Sequence, residues 1–219
     1  DGLNLTLFLF CFLFAYRNLV HVQFKYGALS GFSLALLFFN KPGAVGFFVG
    51  LLLSHLLLML YFLMKREVVF LKRVFHALLL MIPAFVFCLV LLSLLLKGTI
   101  SYDLGLYKTV PGVFGKPTAT ISEILSMVFA HYSTFLSIYF VPFFVTVFAL
   151  AHVLKEDHRE TAYQQLTLVA LGMSLFLIYT LFTAKFMVTI YNQEHFLRLH
   201  ARYHFMTYSI FIITFAVFA

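Results

Sequence analysis

The chain has 219 residues, 63% of them hydrophobic and 11% charged, with 15 Lys and Arg against 8 Asp and Glu. Its mean hydropathy is +1.01, whereas a soluble domain is only about half apolar, so an ordinary water-soluble globule is excluded. The net charge of +7 lies in short breaks between apolar runs, which suits anionic head groups or a phosphate-bearing ligand and forms no nucleic-acid patch.

Three runs, 43–64, 74–96 and 136–154, contain no Asp, Glu, Lys or Arg. As helices, each matches a hydrocarbon core of about 30 Å. Lipid offers no water to unpaired backbone groups, so such runs must be helical. The period-two alternation of a membrane barrel is absent. The expected fold is all-α, a polytopic transmembrane helical bundle forming a single domain over 1–219.

In chain order the expected membrane segments are 3–20, 27–40, 43–64, 74–96, 136–154, 163–184 and 204–219. The first begins directly after Asp1, with no charged region or cleavage site of a signal peptide. The last stops within an apolar run, so the chain reads as an internal or C-terminal piece of a larger membrane protein. The second segment is short and ends at Asn40-Lys41-Pro42-Gly43. Proline is tolerated in a first helical turn, so segments two and three form a tight hairpin with Lys41 at its tip. Gly27 and Gly31 are four apart and allow close helix contact.

The basic residues divide between the two ends of these segments. One set is Arg17, Lys25, Lys65, Arg66, Lys72, Arg73, Lys155 and Arg159. The other is Lys41, Lys97, Lys108, Lys116, Lys185, Arg198 and Arg202. The counts nearly balance, so the positive-inside rule decides little. Loop character breaks the tie: the first set lies in compact breaks, the second includes the long connection 97–122. The first set is therefore assigned to the cytoplasm and the second to the outside. With 30 Phe and no Trp, tyrosines must supply the interfacial aromatics, and Tyr16, Tyr61, Tyr107, Tyr163 and Tyr203 lie near run ends. Cys11 and Cys88 sit inside apolar runs and define no disulfide framework. After the long loop, 121–135 reads either as an amphipathic helix on the outer surface or as the start of a long fifth segment.

Candidate functional residues are few. The densest polar stretch is 191–204, where Glu194, Arg198 and Arg202 share a helical face. Two arginines so placed suit a phosphate or diphosphate, or form a charged stripe of little energetic value. His200 and His204 make an incomplete metal site. Lys41 either grips a ligand or snorkels to water. His55 is an ionisable residue in mid-segment, either functional or hydrogen-bonded to a neighbouring helix. No close carboxylate pair, metalloprotease motif, nucleophile elbow or phosphate-binding loop is present.

Three elements together resemble the GT-C glycosyltransferases, polytopic enzymes that use polyprenyl-phosphate-linked sugars. Asp1-Gly2-Leu3-Asn4-Leu5 resembles the acidic start of one of their membrane helices. Gly27 to Gly43 is similar to their short glycine-containing helix ending in Thr-Lys-Pro, with Asn40 in place of the Thr. Ala201-Arg202-Tyr203 looks like their Arg-Tyr element at the outer membrane face, here without the following Pro. The order and rough spacing also fit. The resemblance implies transfer of a sugar from a polyprenyl-phosphate donor to a lipid, glycan or protein acceptor, outside the cytoplasm, at a bacterial inner membrane. It implies donor-phosphate contacts at Lys41 and Arg202, and Asp1 as a second, catalytic acid near a principal Asp that lies upstream of this region; Arg198, Tyr203 and His204, in the same polar stretch as Arg202, are taken as further donor-binding candidates. A divalent metal ion serves some members. Alternatives are a transporter or flippase for a lipid-linked or anionic substrate, a polysaccharide polymerase or ligase, and a non-catalytic scaffold.

Overall fold

The structure, a computed structural model, describes residues 2–40, 44–97, 120–153 and 159–190. Every element among them is a helix: α1 (Gly2–His21), α2 (Phe24–Asn40), α3 (Ala44–Met64), α4 (Val68–Lys97), α5 (Ile121–Val153) and α6 (Arg159–Ile190). They pack as a bundle. Three stretches, Ala44–Met64, Val68–Leu95 and Glu160–Phe182, are long and apolar enough to cross a membrane. The all-α reading therefore holds, and this is a membrane-embedded protein. Segment 204–219, connection 98–119 and residues 154–158 lie outside the described residues.

Element lengths depart from the apolar runs in an instructive way. The run at 74–96 belongs to a helix that already starts at Val68, so Lys72 and Arg73 are helical. The stretch 121–135 continues without a break into the next run, giving one 33-residue helix. At 1.5 Å per residue that helix is about 50 Å long, so 121–135 is the first part of the same helix as the run that follows and not a separate element. α5 starts with a capping box. Thr120 N–H and its hydroxyl donate to Glu123 Oε2 at 2.7 and 2.8 Å, and Glu123 N–H donates back to Thr120 Oγ1 at 3.3 Å.

Contacts fix the directions. Gly27 faces Leu80 and Gly31 faces Ala84 and Phe85, so α2 and α4 run parallel. A Cβ on Gly31 would stand 2.5 Å from Phe85 N, hence only glycine permits this approach. Gly46 faces Phe182 and Gly50 faces Leu175, so α3 and α6 run antiparallel with a second small-residue seam. Phe8 packs edge-on against Phe47 with centroids 4.5 Å apart, joining α1 to α3. Phe38, Phe48 and Phe85 form an aromatic cluster across α2, α3 and α4. α6 is largely enclosed, while α4 faces mostly outward, exposing Phe75, Leu79, Phe87 and Leu95 to the surroundings. In a membrane such a surface meets lipid tails as apolar as itself.

Two tight turns close one end of the bundle. The α3–α4 turn is a Schellman motif: Glu67 N–H donates to Phe62 C=O at 2.9 Å and Arg66 N–H to Leu63 C=O at 3.1 Å. Arg66 takes the left-handed position, with φ 58°. The α1–α2 turn places Val22 at φ 49°, an uncommon conformation for a β-branched residue. Nearby, Asn18 Nδ2 donates to Ala77 C=O at 2.8 Å and Tyr163 donates to Leu19 C=O at 2.7 Å, tying α1 to α4 and α6.

Candidate functional site

The antiparallel and parallel pairings sort the charged residues by end. Arg17, Lys25, Lys65, Arg66, Lys72 and Arg73 gather at the end that holds the α1–α2 and α3–α4 turns and the start of α6. The opposite end holds Gly2, Asn40, Ala44, Lys97, Ile121 and Ile190. The two sets of cations assigned from the sequence thus fall at opposite ends of the bundle wherever they lie on described helices.

Asp1, Lys41, Arg198, Arg202, Tyr203 and His204 lie outside the described residues. Their described neighbours all sit at the same end. Gly2 opens α1, Asn40 and Ala44 flank the α2–α3 connection, and Ile190 closes α6. α6 also runs past the start of α3: Phe182 is level with Gly46, leaving eight further residues before the helix ends. The connection from α4 to α5 leaves and re-enters at this end as well.

Between α3, α5 and α6 lies a cavity of about 610 Å³. Leu53, Leu57 and Tyr61 supply one wall, Tyr132, Leu136 and Phe143 a second, and Val169, Ala170, Met173 and Leu177 the third. These spacings of three, four and seven put each set on one helical face. Leu57 and Leu177 at its margin are 47% and 42% exposed, so the cavity is a lateral groove rather than a sealed void. Three of its lining residues carry hydroxyls, Tyr61, Tyr132 and Ser174, and of these Tyr132 OH and Ser174 Oγ are buried and without a hydrogen-bond partner. Both oxygens are closed off from the open space, whose surface is almost wholly apolar, so the groove suits hydrocarbon. The sequence hid this groove because its wall residues are indistinguishable by type from ordinary lipid-facing ones.

His55 is 1% exposed and does not line the groove. Its Nδ1 lies 2.7 Å from Leu51 C=O, so Nδ1 carries the proton and donates within α3 rather than to a neighbouring helix. The remaining nitrogen, Nε2, is buried without a partner. Ser54 likewise donates back to Leu51 C=O at 2.7 Å. Glu123, exposed at the start of α5, is held below the usual carboxylate range, first by the Thr120 N–H and then by the Thr120 hydroxyl. Among the described residues, no three His, Cys, Asp or Glu side chains gather as metal ligands.

No protein-family model, curated protein or solved structure matches this chain.

Proposed function

We propose that this chain is the membrane portion of a glycosyltransferase that takes its sugar from a polyprenyl-phosphate donor. The observation that carries this reading is the common end of the bundle from which Asp1, Lys41 and the 191–204 stretch all depart. An anionic leaving group needs several cations near one point to stabilise its developing charge. Helix directions that scattered these segments would have argued against such a site.

The groove between α3, α5 and α6 lies toward the α3–α4 turn rather than at the proposed donor end, so in this reading it takes the hydrocarbon chain of a lipid-linked substrate and not its phosphate. It is apolar, lies among helices long enough to cross a membrane, and opens sideways. The carrier alternative requires access from both sides to a mid-membrane group. His55, the one described ionisable candidate within a span, is enclosed and bonded to its own helix.

The test is sugar transfer by the full-length protein in liposomes, using labelled polyprenyl-phosphate sugars. Lys41→Ala and Arg202→Ala each lower kcat/KM by about tenfold or more, ~1.4 kcal/mol of transition-state stabilisation. Ala170→Phe, which fills the groove, raises KM for long-chain donors and spares short-chain ones. Movement of labelled lipid across the bilayer without consumption of any donor sinks the proposal and favours a carrier.

A further inference from the structure

The α1–α2 turn concentrates positive charge around one aromatic ring. The Arg17 guanidinium lies 5.8 Å from the centroid of the Tyr26 ring, and the Lys25 ammonium lies 4.9 Å from the same centroid. His21 packs on that ring as well, with centroids 5.7 Å apart. Two long, exposed cationic side chains have room to separate in solvent. Here both are held within 6 Å of one aromatic ring, a distance at which cation–π attraction operates.

One acid at this end is paired away from the turn. Glu160 accepts two bonds from Arg73 Nη1, at 2.7 and 2.8 Å. Glu67 belongs to the α3–α4 turn. The first turn of α2 contains no acidic residue, so the positive end of its dipole adds to the two side chains rather than offsetting them. Such a cluster calls for an anion.

The setting selects which anion. Phe24, the residue before Lys25, is 76% exposed, and Met64 and Val69 at the same end are 76% and 63% exposed. Large apolar side chains standing beside cations at the end of membrane helices match the boundary where acyl chains meet phosphates. We infer that Arg17 and Lys25, gathered on Tyr26, form a binding site for the phosphate of an anionic membrane phospholipid. Phe24 inserts among its acyl chains, and the site is separate from the proposed donor end of the bundle. This assignment stands independently of the glycosyltransferase reading.

The test uses the full chain purified in detergent with an equimolar mixture of phosphatidylglycerol and phosphatidylcholine, retained lipid being counted by mass spectrometry. Wild type retains phosphatidylglycerol preferentially. Arg17→Gln with Lys25→Gln lowers that preference by about thirtyfold, the scale expected for two interfacial cations. The charge-preserving pair Arg17→Lys with Lys25→Arg retains it, which guards against a double variant that merely folds poorly. Lys65→Gln with Lys72→Gln, which removes two cations at the same end and leaves Arg17 and Lys25 on Tyr26, leaves it largely intact. An equal loss in that control pair means a diffuse basic surface and overturns the site. Unchanged retention after Arg17→Gln with Lys25→Gln overturns it too. Displacement of the lipid by millimolar inorganic phosphate would make a soluble anion the occupant and overturn the lipid assignment.

Discussion

The hydroxyl of Tyr163 donates to the backbone carbonyl of Leu19 at 2.7 Å, across 144 residues of chain. Leu19 lies in the last turn of α1, where carbonyls lack helical donors. A side chain from the first turns of α6 therefore caps the end of α1. Tyr163 is held for this role by stacking on Phe70, with centroids 4.7 Å apart, and by Arg73 over both rings. Tyr163→Phe keeps the ring and removes only the donor. The expected cost is about 0.5–1.5 kcal/mol, seen as a lower unfolding midpoint in detergent. A midpoint equal to wild type would show that the carbonyl finds another donor at no cost.

The two glycine seams differ in tolerance. A Cβ on Gly31 meets backbone atoms of Ala84 and Phe85 at 2.8 and 2.5 Å, which cannot yield without moving α4. A Cβ on Gly46 meets the Phe182 side chain at 3.2 Å at closest, and a ring can shift. Gly31→Ala therefore destabilises by about 1–3 kcal/mol, and Gly46→Ala by clearly less. Thermal unfolding of both variants tests the ranking, and equal losses would contradict the described α2–α4 approach.

Backbone strain predicts gains. Val22 and Arg66 occupy left-handed positions, with φ 49° and 58°. For L residues that region costs roughly 1–2 kcal/mol, a cost that glycine avoids. Val22→Gly and Arg66→Gly should each raise the unfolding midpoint, with the larger gain at the β-branched Val22. A fall in both would show that the turns are less tight than described here.

The start of α5 should respond to acid. Glu123 is depressed in the folded chain by bonds from Thr120 and returns to its ordinary value when unfolded. Its contribution is thus complete above the ordinary carboxylate range and is lost as pH falls through the lower, folded value. Amide exchange at 121–124, corrected for intrinsic rates, should lose protection on acidification; Thr120→Ala, which keeps the backbone donor and removes the hydroxyl, should weaken that pH dependence, and Glu123→Gln should abolish it. Protection that does not change with pH in wild type would rule out the capping box.

Apolar runs located the helices because burial in lipid demands uninterrupted internal hydrogen bonding. They did not set helix lengths, since a helix continues into water for as long as its backbone is paired. Hence α4 takes in Lys72 and Arg73 and α5 takes in Glu123. Gly27 and Gly31 were legible because they interrupt a short segment that also carries serines. Gly46 and Gly50 were hidden inside a run that reads as uniformly apolar. Thr120-Ile121-Ser122-Glu123 carries a capping signature that the apolar pattern overshadowed. No local pattern states which helices meet, so neither the Tyr163–Leu19 bond nor the groove could be read from residue types. Of the candidate site, the sequence indicated the segments, and the fold adds the end of the bundle from which they depart.

The reach of the Tyr163–Leu19 bond also bears on how the protein is made. Ribosomes add about 5–20 residues per second, so α1 enters the membrane on the order of ten seconds before its capping partner exists. α2 follows α1 at once and can pair with it early, whereas the parallel clasp of α2 on α4 must wait for α3 to cross first. The nascent chain therefore carries an open end on α1 through the insertion of four further helices. The arrival of α6 is the step that ends that interval and closes the end of α1.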